Sequence, residues 1–162
     1  MMEVFIAFTT DDDFSVLEST LESWAKLVGE DNVIATQCDR RGKFQIDRRI
    51  VAEEKSTGPY YILADLGCVM DQENMACASR RMKFVDDSVG MIGLRPDPMD
   101  AMAEINNPEG VRICKKGAVQ KWLAQSTDDY NAEHAASVKL ESNVVFWPDV
   151  RYMTIRQPQT IN

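Results

Sequence analysis

Asp65 ends an apolar run, Tyr60 to Ala64, that a Gly58-Pro59 turn opens. Such a run predicts a buried strand of an α/β sheet. An acid just past the carboxyl end of such a strand stands where open α/β sheets bind ligands. A carboxylate there can ligate a hard divalent cation, which takes oxygen donors and keeps water and substrate phosphates in its shell. It can equally cap the next helix or end the strand in a turn, both ordinary duties of aspartate.

Two other segments carry groups able to do chemistry. Arg40, Arg41, Lys43, Arg48 and Arg49 place five of the chain's eighteen basic residues within ten positions. Guanidinium forks match phosphate oxygens bidentately, and a helix N-terminus entered from such a loop adds backbone donors. The plainer alternative is a solvated helix start whose arginines pair with Asp39, Asp47, Glu53 and Glu54. Further on, Asp128, Asp129 and Glu133 surround His134, the only histidine. Glu133 beside a pocket could act as a general base. Alternatively Asp128 and Asp129 cap a helix that carries Glu133 and His134 on its surface.

The elements that must hold these groups follow from periodicity. Val4 to Phe8 is a first strand, leaving through Thr9-Thr10-Asp11-Asp12-Asp13. Phe14, Leu17, Leu21, Trp24, Leu27 and Val28 recur at helical spacing, with Ser15 and Glu18 able to form a capping box and Gly29 suited to the C-terminus. Asn32 to Gln37 is a second strand, and residues 39–49 are a loop leading into a helix that runs to about Lys55. Strand Tyr60–Ala64 precedes a helix over Gln72 to Asp86, started at Asp71. Val89 to Leu94 is a fourth strand, stopped by Arg95-Pro96-Asp97-Pro98. Residues 98–110 predict one helical turn and a loop, and Val111 to Cys114 a short strand. Lys116 to Ala124 and Tyr130 to Glu141 predict helices; Val144 to Trp147 and Arg151 to Ile155 predict two closing strands around Pro148-Asp149. Alternation of strand and helix over the first ~95 residues predicts crossover connections and a largely parallel sheet, with antiparallel strands in the tail.

Bulk composition narrows the class. At 162 residues the length predicts one domain, 1–162, with a well-filled core. A formal net charge of −8 argues against general nucleic-acid binding. No apolar run approaches the ~20 residues that span a bilayer, and the N-terminus lacks a basic leader, so a cytoplasmic protein is expected. Cys38, Cys68, Cys77 and Cys114 form no Cys-x-x-Cys pair and are expected as free thiols in a reducing compartment. One histidine and no clustered ligands make a zinc site unexpected. The methionines at 75, 82, 91, 99 and 102 are expected as core filler.

In order, the segments carry a further pattern. Phe5 to Asp12 is a strand and loop, and Asp39 is an acid at the end of the second strand. Gly42 through Asp47-Arg48-Arg49 is a Gly-containing segment with an Ala-Arg-Asn-like helix start. Gly58, Tyr60 and the run to Asp65-Leu66-Gly67 approximate Gly-x-Tyr, hydrophobic run, Asp-x-Asp. Val89 to Leu94, then Gly110 through Cys114 to Trp122-Leu123, then Tyr130 to His134, and Phe146-Trp147-Pro148 complete it. This order resembles a nucleotide-sugar-dependent glycosyltransferase of the GT-A fold, especially its compact inverting type. The resemblance implies a Rossmann-like α/β domain with a mixed, mostly parallel sheet flanked by helices in three α/β/α layers.

It also implies roles. Thr9, Asp11 and Asp39 would hold the nucleoside of a nucleotide-diphosphate sugar such as a UDP-sugar, and Arg48 or Arg49 would meet the diphosphate. Asp65 would bind Mg²⁺ or Mn²⁺, and Glu133 would deprotonate an acceptor hydroxyl. The chain departs from the pattern where Gly67 replaces the second acid, where Glu133-His134 replaces Glu-Asp, and at Thr154-Ile155-Arg156, where a histidine is usual. Two alternatives stand beside the transferase. One is a catalytically inactive nucleotide- or sugar-binding relative, which Gly67 suits. The other is an α/β structural or assembly protein whose methionines include an interaction surface.

Overall fold

The computed structural model describes residues 2–38, 41–97, 110–118 and 143–155. Its strands are β1 (Val4–Phe8), β2 (Val33–Gln37), β3 (Tyr60–Ala64), β4 (Cys68–Val69), β5 (Val89–Pro96), β6 (Val111–Lys115) and β7 (Asn143–Thr154). The helices are α1 (Phe14–Val28), α2 (Arg41–Lys55) and α3 (Gln72–Met82). The strands form one mixed sheet in the order β2-β1-β3-β6-β5-β7-β4. β1 runs parallel to both β2 and β3, with Ile6 level with Ala35 and Ala64. β6 is antiparallel to both β3 and β5, and so makes the sheet mixed.

Alternation along the strands sorts the helices into layers. Val4, Ile6, Ile62 and Ala64 face one way and pack with Trp24 and Val28 of α1 and Met75 and Ala78 of α3. Phe5, Tyr61 and Leu63 face the other way and pack with Ala52 of α2. Side chains of successive strand residues point to opposite faces, so α1 and α3 cover one face and α2 the other. This is the three-layer α/β/α arrangement. It follows that β1 and β2, adjacent and parallel, send their following helices to opposite faces. The point beyond their carboxyl ends, where the helices diverge, is the usual ligand position in such sheets.

Several boundaries differ from expectation for identifiable reasons. The cap of α1 is Asp13, whose carboxylate accepts from the Ser15 amide at 2.8 Å and from the Ser15 hydroxyl at 2.7 Å, so no Ser15–Glu18 box forms. Phe14, expected on the apolar face, is 73% exposed at the helix start. α2 begins at Arg41, so Arg48 and Arg49 lie within the helix and not in a loop before it. α3 starts as expected at an Asp71 cap but stops at Met82. The Phe84 amide then bonds the Arg81 carbonyl, and an Asp86–Ser88 turn follows. Residues 116–118, expected to open a helix, form a turn after β6.

The two closing strands are one. β7 pairs with β5 from Asn143 to Trp147 and resumes at Arg151 opposite Arg95, leaving Pro148, Asp149 and Val150 as a bulge. Proline cannot donate to a ladder and is tolerated at such irregularities. Val150 turns fully into the core, and Asp149 pairs with Arg81 of α3. Beyond the bulge, β7 pairs antiparallel with β4. The helices expected over 119–124 and 130–141, and the turn over 98–109, lie outside the described residues.

Candidate functional site

Asp65 follows the last residue of β3, and each of its polar groups is engaged. Its amide donates to the Gly110 carbonyl at 2.7 Å, and the Gly110 amide donates back to Oδ2 at 2.8 Å. Gly110 (φ +86°) precedes β6, which lies against β3, so the clasp is built by strand pairing. Oδ1 accepts from Arg48 Nη1 at 3.1 Å, and Arg112 Nη1 stands 3.8 Å away. Arg48 Nη1 also donates to the Ala64 carbonyl at 2.6 Å. Both arginines are fully buried, while the Asp65 side chain keeps 24% of its surface exposed. The carboxylate edge is therefore what this cluster presents to a ligand.

The turn after Asp65 is held from every side. The Cys68 amide donates to the Asp65 carbonyl at 3.0 Å. Gly67 takes φ +84°, a conformation that costs a side chain about 1–2 kcal/mol. Its amide donates to Thr20 Oγ1 at 3.1 Å, and the Thr20 hydroxyl donates to the Val16 carbonyl at 2.6 Å. Trp24 Nε1 donates to the Cys68 carbonyl at 2.9 Å, and the Ile155 amide to that of Gly67 at 2.6 Å. Burial, then the charge of Asp65, pushes the Cys68 thiol up to about 12.

The other expected site residues divide. Thr9 leaves β1 beside this cluster and is buried; its amide donates to Asp12 Oδ2 at 2.7 Å and its hydroxyl to the same oxygen at 3.3 Å. Asp11 sits exposed at the tip of that turn. Arg48 reaches Asp65, but neither Arg48 nor Arg49 is solvated as a charged helix start would be. Arg49 lies over the Tyr61 ring at 5.2 Å. The Tyr61 hydroxyl donates to Glu53 at 3.0 Å, and its acidity is suppressed, chiefly by burial. Asp39 and Glu133 lie outside the described residues. The chain does reach position 38 beside β1, where the Cys38 amide donates to the Phe8 carbonyl at 2.8 Å.

Arg112, Gly110 and Asp12 were missed. The signal for Arg112 was present as a lone charge at the centre of the apolar segment Val111–Cys114. Cavities among the described residues lie elsewhere. One, of about 550 Å³, is lined by Met2, Tyr60, Met82, Lys83 and Lys115 at the opposite end of β3. Another, about 630 Å³, runs along α1 and β2 past Leu21, Lys26 and Val33.

The described residues do not fit a divalent cation at Asp65. An ion about 2.1 Å from Oδ1 would lie within about 5 Å of Arg48 Nη1 wherever it sat around that oxygen. At an effective dielectric of about 20 the repulsion from Arg48 and Arg112 together is roughly 12 kcal/mol, most of the roughly 16 kcal/mol the ion would gain from this one carboxylate. Position 67, where a second carboxylate would help, is a glycine in a left-handed turn. Among the described residues, no three metal-ligating side chains cluster.

No protein-family model matches the chain, and no curated protein matches it in sequence. Solved structures do. A mannosyltransferase from Pyrobaculum calidifontis, solved with GDP-Man and Mn²⁺, superposes with a TM-score of 0.64 at 14% identity over 98% of this chain. This chain spans only 58% of that enzyme. A glycosyltransferase involved in glycosylation of the major capsid of PBCV-1 matches at TM-score 0.57 and 9% identity, covering 97% of this chain and 94% of that one. A cytidylyltransferase from Leptospira borgpetersenii matches at TM-score 0.55 and 10% identity, over 92% and 77% of the two chains. At these identities the likeness is one of fold. The chain has an α/β fold shared by glycosyltransferases and a nucleotidyltransferase. Among the described residues, no helix is long and apolar enough to cross a membrane.

Proposed function

We propose that this chain is a glycosyltransferase that takes its sugar from a nucleotide-diphosphate donor bound beyond the carboxyl ends of β1, β2 and β3. The observation that carries the reading is Asp65, partly exposed at a strand end and fixed by Arg48, Arg112 and Gly110. An ionised carboxylate only accepts hydrogen bonds. Its partner on the donor is therefore a hydroxyl of the ribose or the sugar. Arg48 acts as a positioning residue and spends its Nη1 on Asp65 and Ala64. Thr9, Asp11 and Asp39 follow the two strands whose helices diverge, the place for the nucleoside. Arg49 anchors the middle of α2 against Tyr61, and Glu133 serves as the base that deprotonates the acceptor hydroxyl. Four free cysteines support a reducing compartment, hence the cytoplasm.

A second reading, a donor-binding relative without transfer, is favoured by Gly67 alone. Incubation with a panel of UDP- and GDP-sugars, reading released nucleoside diphosphate, tests both. Turnover that falls at least about tenfold in Glu133→Gln supports transfer. Binding without turnover supports the second reading, and no binding of any donor contradicts both.

A further inference from the structure

We infer that this chain binds its nucleotide-diphosphate ligand without a divalent cation at Asp65, an inference that rests on the donor-binding reading above. Three observations converge on it. Arg48 Nη1 holds Oδ1 at 3.1 Å, and Arg112 Nη1 faces the same atom at 3.8 Å. The Gly110 amide donates to Oδ2 at 2.8 Å, so a cation would have to share either oxygen with a fixed donor. These donors cannot step aside cheaply. Both guanidinium groups are fully buried, Arg48 is tied to the Ala64 carbonyl, and the Gly110 carbonyl accepts from the Asp65 amide. Finally, position 67 can contribute no carboxylate: Gly67 adopts φ +84° and its amide is committed to Thr20. Charge balance at Asp65 is met by protein cations fixed before the ligand arrives. Such preorganisation leaves no requirement for an ion to neutralise the carboxylate.

The inference fixes a solution property of the intact chain. UDP-glucose and GDP-mannose are titrated calorimetrically into the full-length protein, once after exhaustive EDTA treatment and once with excess Mn²⁺; Mn²⁺ alone is titrated separately. At least one nucleotide sugar binds in EDTA, its Kd changes by no more than about threefold with Mn²⁺, and Mn²⁺ alone gives no saturable heat that Asp65→Asn removes. Binding that disappears in EDTA and returns with Mn²⁺ overturns the inference but leaves the donor reading intact. Saturable Mn²⁺ binding lost in Asp65→Asn overturns it equally. Absence of binding by both nucleotide sugars in both buffers overturns the donor reading for these probes, and the inference with it.

Discussion

Arg48 divides one guanidinium nitrogen between the last carbonyl of β3, on Ala64, and the first carboxylate beyond it, on Asp65. The strand end and the carboxylate beyond it are thereby held by the same buried cation from α2. Replacement by an apolar residue strips a buried carbonyl and a carboxylate of their partner at once. Arg48→Met should cost about 2–4 kcal/mol in urea unfolding and weaken nucleotide-sugar binding. A midpoint unchanged from the native protein would contradict the role given to Arg48.

Gly110 supplies the other half of the grip. A Cβ there would fall on the Tyr152 ring, and the residue holds φ +86°. Gly110→Ala should therefore destabilise by about 2 kcal/mol or more and also loosen Asp65, through strain and overpacking together. Circular dichroism melts measure the first effect, and the Kd for nucleotide sugar the second.

Gly67 separates backbone conformation from charge. Its Cβ would meet only Val16, at 3.6 Å, so the cost of substitution is conformational. Gly67→Asn should be tolerated better than Gly67→Ala, by a few tenths to about 1 kcal/mol, because asparagine visits the left-handed region more readily. Gly67→Asp should match Gly67→Asn in stability at neutral pH and should not gain tight Mn²⁺ binding, since Arg48 still holds Oδ1. Equilibrium unfolding and Mn²⁺ titration of the three variants check this.

Alkaline pH should destabilise the protein. Burial raises the thiol of Cys68 from 9.0 to about 12 and raises the Tyr61 hydroxyl above its ordinary 10.0, with Glu53 adding to the latter and Arg49 opposing it. Groups whose folded pKa is raised bind protons more tightly when folded. Their contribution is complete below the unfolded values near 9–10 and declines as pH rises toward the folded ones. The urea midpoint should fall between about pH 8 and about pH 11, and Tyr61→Phe should make that fall shallower.

Much of the frame was legible because its signals are local. The apolar runs Val4–Phe8, Tyr60–Ala64 and Val111–Cys114 are strands, and Asp71 and Gly29 cap the helices expected of them. The position of Asp65 at a strand end was also readable. What surrounds it was not. Arg112 meets Asp65 only because β6 inserts antiparallel beside β3, a long-range pairing that no periodicity encodes. The basic segment was ambiguous for the same reason: Arg48 and Arg49 are buried against β3 and the residue that follows it, so sequence alone could not separate a phosphate loop from a solvated face. At the chain's end, Pro148 looked like a break between strands, whereas burial of Val150 carries one strand through it as a bulge.

The proposed ligand site lies beyond the carboxyl ends of β1 and β3, around Asp65. Amide chemical shifts during titration with a nucleotide sugar locate binding directly. The account predicts that perturbations concentrate at Thr9 to Asp12, at Leu66 to Cys68 and at Gly110, and diminish in Asp65→Asn. Perturbations confined to Tyr60, Lys83 and Lys115, around the cavity at the other end of the sheet, would contradict it.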